Sequence, residues 1–145
     1  MNTVFRWPVR VYYEDTDAGG IVFYANYLKF FERARTEWLR AAGIGQQALV
    51  VSAQRMFVVK NTAMDYHAPA KLDDPLEITV TVDKLGRASV NFIQEAWLTS
   101  GDQPALLCSG SIRVGCVDTQ SLRPAPIPDR VLDRIRYSMK QHFGE

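Results

Sequence analysis

Phe5, Trp7, Val9, Val11 and Tyr13 alternate with Arg6, Arg10 and Tyr12, the period-2 pattern of a half-buried strand. Pro8 has no N–H to give, which places this strand at a sheet edge or puts a bulge in it. From Asn26 onward the period lengthens. At 100° per residue Tyr27, Phe30, Phe31, Ala34, Trp38, Ala41 and Ala42 share one side, flanked by Leu28 and Leu39. Lys29, Arg33, Thr36 and Arg40 take the opposite side. Asn26 is the expected N-cap and Gly43 the expected C′ residue. So wide and aromatic a stripe predicts a helix largely covered by other structure. Arg35 is its one charged intruder.

Residues 44 to 53 predict one short helix. Met56, Val58, Lys60, Thr62, Met64 and Tyr66 fall on one face of a strand that Pro69 ends. Leu76, Ile78, Val80 and Val82 then alternate cleanly with Glu77, Thr79, Thr81 and Asp83. Gly86 marks a turn into Val90–Leu98, and Ser100-Gly101-Asp102 turns again into a last strand, Leu106 to Asp118. Pro124, Pro126 and Pro128 form an extended connector. Asp129 is the expected cap of a terminal helix with Val131, Leu132, Ile135 and Met139 inward. A single long helix cannot be hidden by loops, so an antiparallel sheet must curl around it. This predicts an α+β architecture in one domain, residues 1–145. The sheet's open edge predicts a homodimer or homotetramer.

Composition narrows the function more than it reveals it. Seventeen basic against sixteen acidic residues leave no field for nucleic acid. Neither a signal peptide nor a transmembrane span is legible. Cys108 and Cys116, about 26 Å apart along one extended strand, read as reduced core thiols, and the expected location is cytoplasmic. There is no G-x-S-x-G elbow, no metal-ligand spacing and no phosphate-cradling glycine loop, and the histidines number two, His67 and His142. Neither a metal nor a cofactor is expected.

What remains is a carboxylate cluster, Glu14, Asp15 and Asp17, followed by Gly19-Gly20 and a helix start. Thioester hydrolysis suits such a set. The thiol leaving group has a pKa near 8.5 and departs with little acid assistance. An aspartate then serves as base or as nucleophile, and free N–H groups at a helix start stabilise the oxyanion.

The same stretch resembles a known family. The pattern Y-x-D-T-D-x-x-G-x-V-x-x-x-x-Y from Tyr13, then F-x-E-x-A-R from Phe30, is similar to the opening of the hotdog-fold acyl-CoA thioesterases. Within them it resembles the 4-hydroxybenzoyl-CoA and the Tol–Pal-associated types. A looser match, D-Y-x-A-P-A-x-L-D-D-x-L-E-I, runs from Asp65 to Ile78. The resemblance implies a hotdog fold and hydrolysis of an acyl-CoA, short-chain or aromatic, to a free acid and coenzyme A. It implies that Asp17 is the catalytic carboxylate and that the backbone amide near Tyr24 polarises the carbonyl. Many relatives carry histidine where this chain reads V-F-Y-A-N-Y, so Asp17 stands more alone here.

The resemblance also implies that Arg87 serves the coenzyme A nucleotide, with Lys60 and Arg123 as weaker candidates, and that the site lies between subunits. Asp15 stays open between a turn former and an ion-pair partner for Arg35. Glu32 and Arg35 are read as an i, i+3 pair holding the Asp17 loop, Tyr27 as core and His67 as a strand-end residue. Phe23, Tyr24, Phe31 and Phe57 are candidates to crowd an acyl pocket. Two alternatives stand beside hydrolysis: a dehydratase acting on acyl-carrier protein, and a non-catalytic module binding acyl-carrier protein or envelope-complex partners.

Overall fold

The computed structural model describes residues 4–143. Five antiparallel strands form one sheet, in the order β1-β3-β4-β5-β2. They are β1 (Phe5–Arg10), β2 (Arg55–Tyr66), β3 (Pro75–Leu85), β4 (Ser89–Leu98) and β5 (Ala105–Asp118). The sheet wraps α1 (Asn26–Ala41); α2 (Gln46–Ala53) and α3 (Asp129–Phe143) complete the layer. This is the α+β hotdog arrangement that the pattern predicts. Among the described residues no helix is long and apolar enough to cross a membrane.

Burial along α1 follows the predicted stripe. Tyr27, Phe30, Phe31, Ala34, Trp38 and Leu39 are buried, and full burial of each large apolar side chain contributes about 1.5–3 kcal/mol. Ala41, at the end of the stripe, is exposed. Trp38 meets Phe92 of β4 edge-on, with ring centroids 5.5 Å apart. Gly43 takes the left-handed conformation, φ +83°, that ends the helix.

Several expectations need correction. Asn26 is the first helical residue rather than the cap, because its side chain is used elsewhere. β1 stops at Arg10, since Val11 pairs instead with Asp73 and Asp74. Asp129 lies inside α3 as its first residue. On β2 a register shift between Val59 and Asn61 changes the outward parity. Phe57 and Val59 before it therefore share the helix-side face with Met64 and Tyr66 after it. Met56, Val58 and Lys60 face the other way.

Arg35 enters the core but meets neither Asp15 nor Glu32. One guanidinium nitrogen donates to Oε1 of the fully buried Gln94 at 3.0 Å. The Gln94 amide nitrogen in turn donates to the carbonyls of Phe31 and Thr79. Burial pushes the Arg35 pKa down while the Glu32 charge opposes that shift. Glu32 instead accepts from the Thr36 hydroxyl at 2.7 Å. The expected pair does not form: Arg35 fastens α1 to β4, and Glu32 stays within α1.

The two edges differ. β1 carries Pro8 and is short, both devices that blunt an edge. β2 spans 12 residues and pairs only with β5. Its stretch from Val59 to Ala63 is exposed.

Candidate active site

After β1 the chain makes one 3-10 turn, Tyr13–Asp15, and then a small hairpin. Thr16 bridges to Val22, the Asp17 N–H donates to the Ile21 carbonyl at 2.9 Å, and the Gly20 N–H donates to the Asp17 carbonyl at 3.0 Å. Gly20 sits at φ +80°, which only glycine adopts without strain. The Asp17 carboxylate accepts the Gly19 N–H through Oδ1 at 2.9 Å, an Asx turn. Its Oδ2 receives no donor among the described residues, and the side chain is exposed. One oxygen is thus fixed and the other is free to act.

The hairpin closes where the Phe23 N–H donates to the Asp15 carbonyl at 3.0 Å. Tyr24 follows at once, in the turn that opens α1. Its N–H has no acceptor among the described residues, as expected of a donor at a helix start. Its ring is 62% exposed and touches Phe23, at 4.9 Å between centroids, and Tyr66 of β2, at 5.9 Å. Beside it lies a depression of about 260 Å³ lined by Ile21, Tyr24, Tyr27, Tyr66, His67 and Pro69, among others. Burial raises the Tyr27 and Tyr66 phenol pKa values above their ordinary one, so both rings carry neutral hydroxyls. Tyr27 is core, as expected, and its hydroxyl accepts the Ala70 N–H at 3.3 Å. His67 sits just past the end of β2, against the Ser109 hydroxyl at 3.0 Å.

Other expected pocket residues lie apart. Phe31 is fully buried against Gly110, and Phe57 lines a separate cavity of about 230 Å³ between α1 and the sheet. Of the three basic candidates, Arg87 and Arg123 lie at the opposite end of the sheet and Lys60 lies midway along β2. Arg87 is in the β3–β4 turn, where its carbonyl accepts the Ile127 N–H. Lys60 lays its stem over Gly115, which pairs with Ser89. Arg123 closes the loop after β5 through the Asp118 N–H. All three side chains are exposed, and none forms an ion pair among the described residues. Lys60 and Tyr66 are six residues apart on β2, about 20 Å along the strand. The fold does not bring these cations to Asp17 within one chain.

Two features of this region were not legible from the pattern: the partner of Asp15 and the place of Tyr66. Asp15 is 3% exposed and pairs with Lys29 rather than Arg35, with Nζ 3.8 Å from Oδ1. Tyr66 contributes from a distant strand. For Asp15 a signal did exist: a lysine in the first turn of a helix opposes the dipole and calls for a nearby anion.

The sequence pattern of the thioesterase superfamily matches residues 19–105. The chain belongs to that superfamily. This thioesterase is 45% identical over 136 residues to the acyl-CoA thioester hydrolase YbgC of Escherichia coli O157:H7, covering 93% of this chain and 98% of the relative. The acyl-CoA thioesterase YbgC of Haemophilus influenzae is 45% identical over 131 residues, 90% of this chain and 93% of the relative. A 4-hydroxybenzoyl-CoA thioesterase, solved as an Asp-to-Asn variant with 4-hydroxybenzoyl-CoA, superposes with a TM-score of 0.84 at 19% identity, covering 90% of this chain and 97% of that one. A 1,4-dihydroxy-2-naphthoyl-CoA thioesterase from Synechocystis gives a TM-score of 0.81 at 20% identity, covering 94% and 95%. These two similarities concern the fold. The family resemblance read from the sequence is borne out.

Proposed function

We propose that this thioesterase hydrolyses acyl-CoA to a free acid and coenzyme A, with Asp17 and the Tyr24 N–H as its two working groups. The observation that carries the reading is their placement on one small hairpin: a carboxylate with one tethered and one free oxygen in its turn, and an unsatisfied N–H just past the Phe23–Asp15 bond that closes it. The Tyr24 amide receives the developing oxyanion, a role worth about 3–4 kcal/mol of barrier. Asp17 either takes the proton of an attacking water or adds to the carbonyl itself, giving an anhydride that water then opens. In both routes the C–S bond breaks as the tetrahedral centre collapses, and sulfur leaves as thiolate.

The aromatic depression beside Tyr24 suits a short or aromatic acyl group. The basic residues suit the phosphates of coenzyme A, but Arg87 and Arg123 lie at the wrong end of their own sheet and Lys60 only midway. Antiparallel pairing of two β2 edges about a two-fold axis near Asn61 removes this difficulty. It sets Tyr66 of one copy near Arg55 of the other, and with it the other copy's basic end. We therefore read the working unit as a homodimer, or a tetramer of such dimers, with two shared sites and each chain acting as one domain.

Thiol release from a panel of acyl-CoAs tests the chemistry. Asp17→Asn is expected to lower kcat by about 10²–10⁴-fold with little change in KM, the usual weight of a general base. Equal rates in both proteins overturn the assignment.

A further inference from the structure

We infer that Asp15 and Lys29 form a positioning pair that fixes the separation between the Asp17 carboxylate and the Tyr24 N–H; this rests on the reading of those two groups given above. Asp15 is the joint of the loop. Its Oδ2 accepts the Tyr12 N–H at 2.8 Å, which ties it to the chain leaving β1. Its backbone carbonyl accepts both the Phe23 N–H at 3.0 Å and Asn26 Nδ2 at 2.8 Å. One residue thereby closes the Asp17 hairpin and clamps it to the first residue of α1.

The remaining oxygen makes the pair unusual. Oδ1 is buried and, among the described residues, has no hydrogen-bond donor and pairs with Lys29, 3.8 Å away. Lys29 projects from the first turn of α1, so the attraction runs from the foot of the hairpin to the helix whose start presents the Tyr24 N–H. A buried carboxylate without its counter-charge is costly. Removing Lys29 therefore drives Asp15 toward water and opens the hairpin, whereas Asp15 and Lys29 together hold it shut. Neither touches the thioester; they act through Asp17 and Tyr24. A displacement of about 1 Å between reacting groups is enough to cost about 10²-fold in rate.

The test uses the full-length enzyme and the variants Lys29→Met, Lys29→Arg and Asp15→Asn, with steady-state kinetics and amide hydrogen exchange. Lys29→Met is expected to lower kcat tenfold to a hundredfold with KM unchanged, and to speed exchange of the Phe23 N–H. Lys29→Arg, which keeps the charge, restores most of kcat. Asp15→Asn follows Lys29→Met. Lys29 is half-exposed, so its variants carry the test if Asp15→Asn does not fold. Wild-type kcat in Lys29→Met, or a loss confined to KM, overturns the inference. If Asp17→Asn is fully active, the catalytic reading fails instead. Phe23 exchange then decides the clamp alone: faster exchange in Lys29→Met supports it, and unchanged exchange overturns it.

Discussion

The two ends of this sheet are built on opposite plans. At the Asp17 end the side chains are tethered: one carboxylate oxygen is held by Gly19, a buried aspartate clamps the hairpin, and Tyr24 leans on Tyr66. At the other end Arg87 and Arg123 are fixed through their backbone carbonyls alone, by the Ile127 and Asp118 N–H groups. The side chains of Arg87, Lys60 and Arg123 are solvated. The difference matches the roles proposed above for the two ends. Bond cleavage depends on sub-ångström placement, whereas a flexible cation binds a phosphate as a point charge and moves with it.

The largest effect is expected from separating the copies whose ends are proposed to meet. Val59→Lys puts a charge on the helix-side face of β2, a device that blocks edge pairing. It is expected to halve the solution mass measured by light scattering and to lower turnover at least a hundredfold. A monomer with wild-type turnover contradicts the shared site. Next in size, Arg87→Ala raises KM for acyl-CoA by about tenfold to a hundredfold, the weight of a lost charge-assisted hydrogen bond. It leaves kcat unchanged and has no effect on an acyl-pantetheine thioester, which lacks the nucleotide. An equal loss on both substrates points to a structural effect.

The smallest effect contrasts the two buried thiols. Cys108 pairs across from Tyr66, and burial, then the Asp65 charge, push its pKa up from 9.0 to about 12. Cys116 pairs across from Phe57; burial raises its pKa, and Arg55 pulls it partly back. In the unfolded chain both titrate at their ordinary value. The stability these neutral thiols contribute is therefore complete below about pH 9 and is lost as pH climbs toward the folded values. A melting temperature that falls from about pH 9 upward, less steeply in Cys108→Ala, is the expected result. An identical slope in that variant removes Cys108 as its source.

Much of this fold was written in local periodicity. The α1 stripe, the β3 alternation and the Gly43 stop are all set by side-chain spacing within a few residues, so they were legible. The β2 faces were not, because a bulge changes parity without any marker at Lys60. Arg35 stood out as a charge in an apolar stripe, yet its partner Gln94 is 59 residues away and only the folded sheet supplies it. Asp17 was legible through a motif. Tyr66 and the distant position of Arg87 were not, since strand order decides which ends of the chain meet.

The most direct measurement mixes Asp17→Asn and Arg87→Glu after unfolding and refolding them together at equal concentration, and assays them with acyl-CoA well below the raised KM of Arg87→Glu, where both are crippled. A site shared across β2 edges gives half mixed dimers, each with one intact site, so about a quarter of wild-type activity returns. Turnover no greater than the sum of the two separate variants contradicts the account.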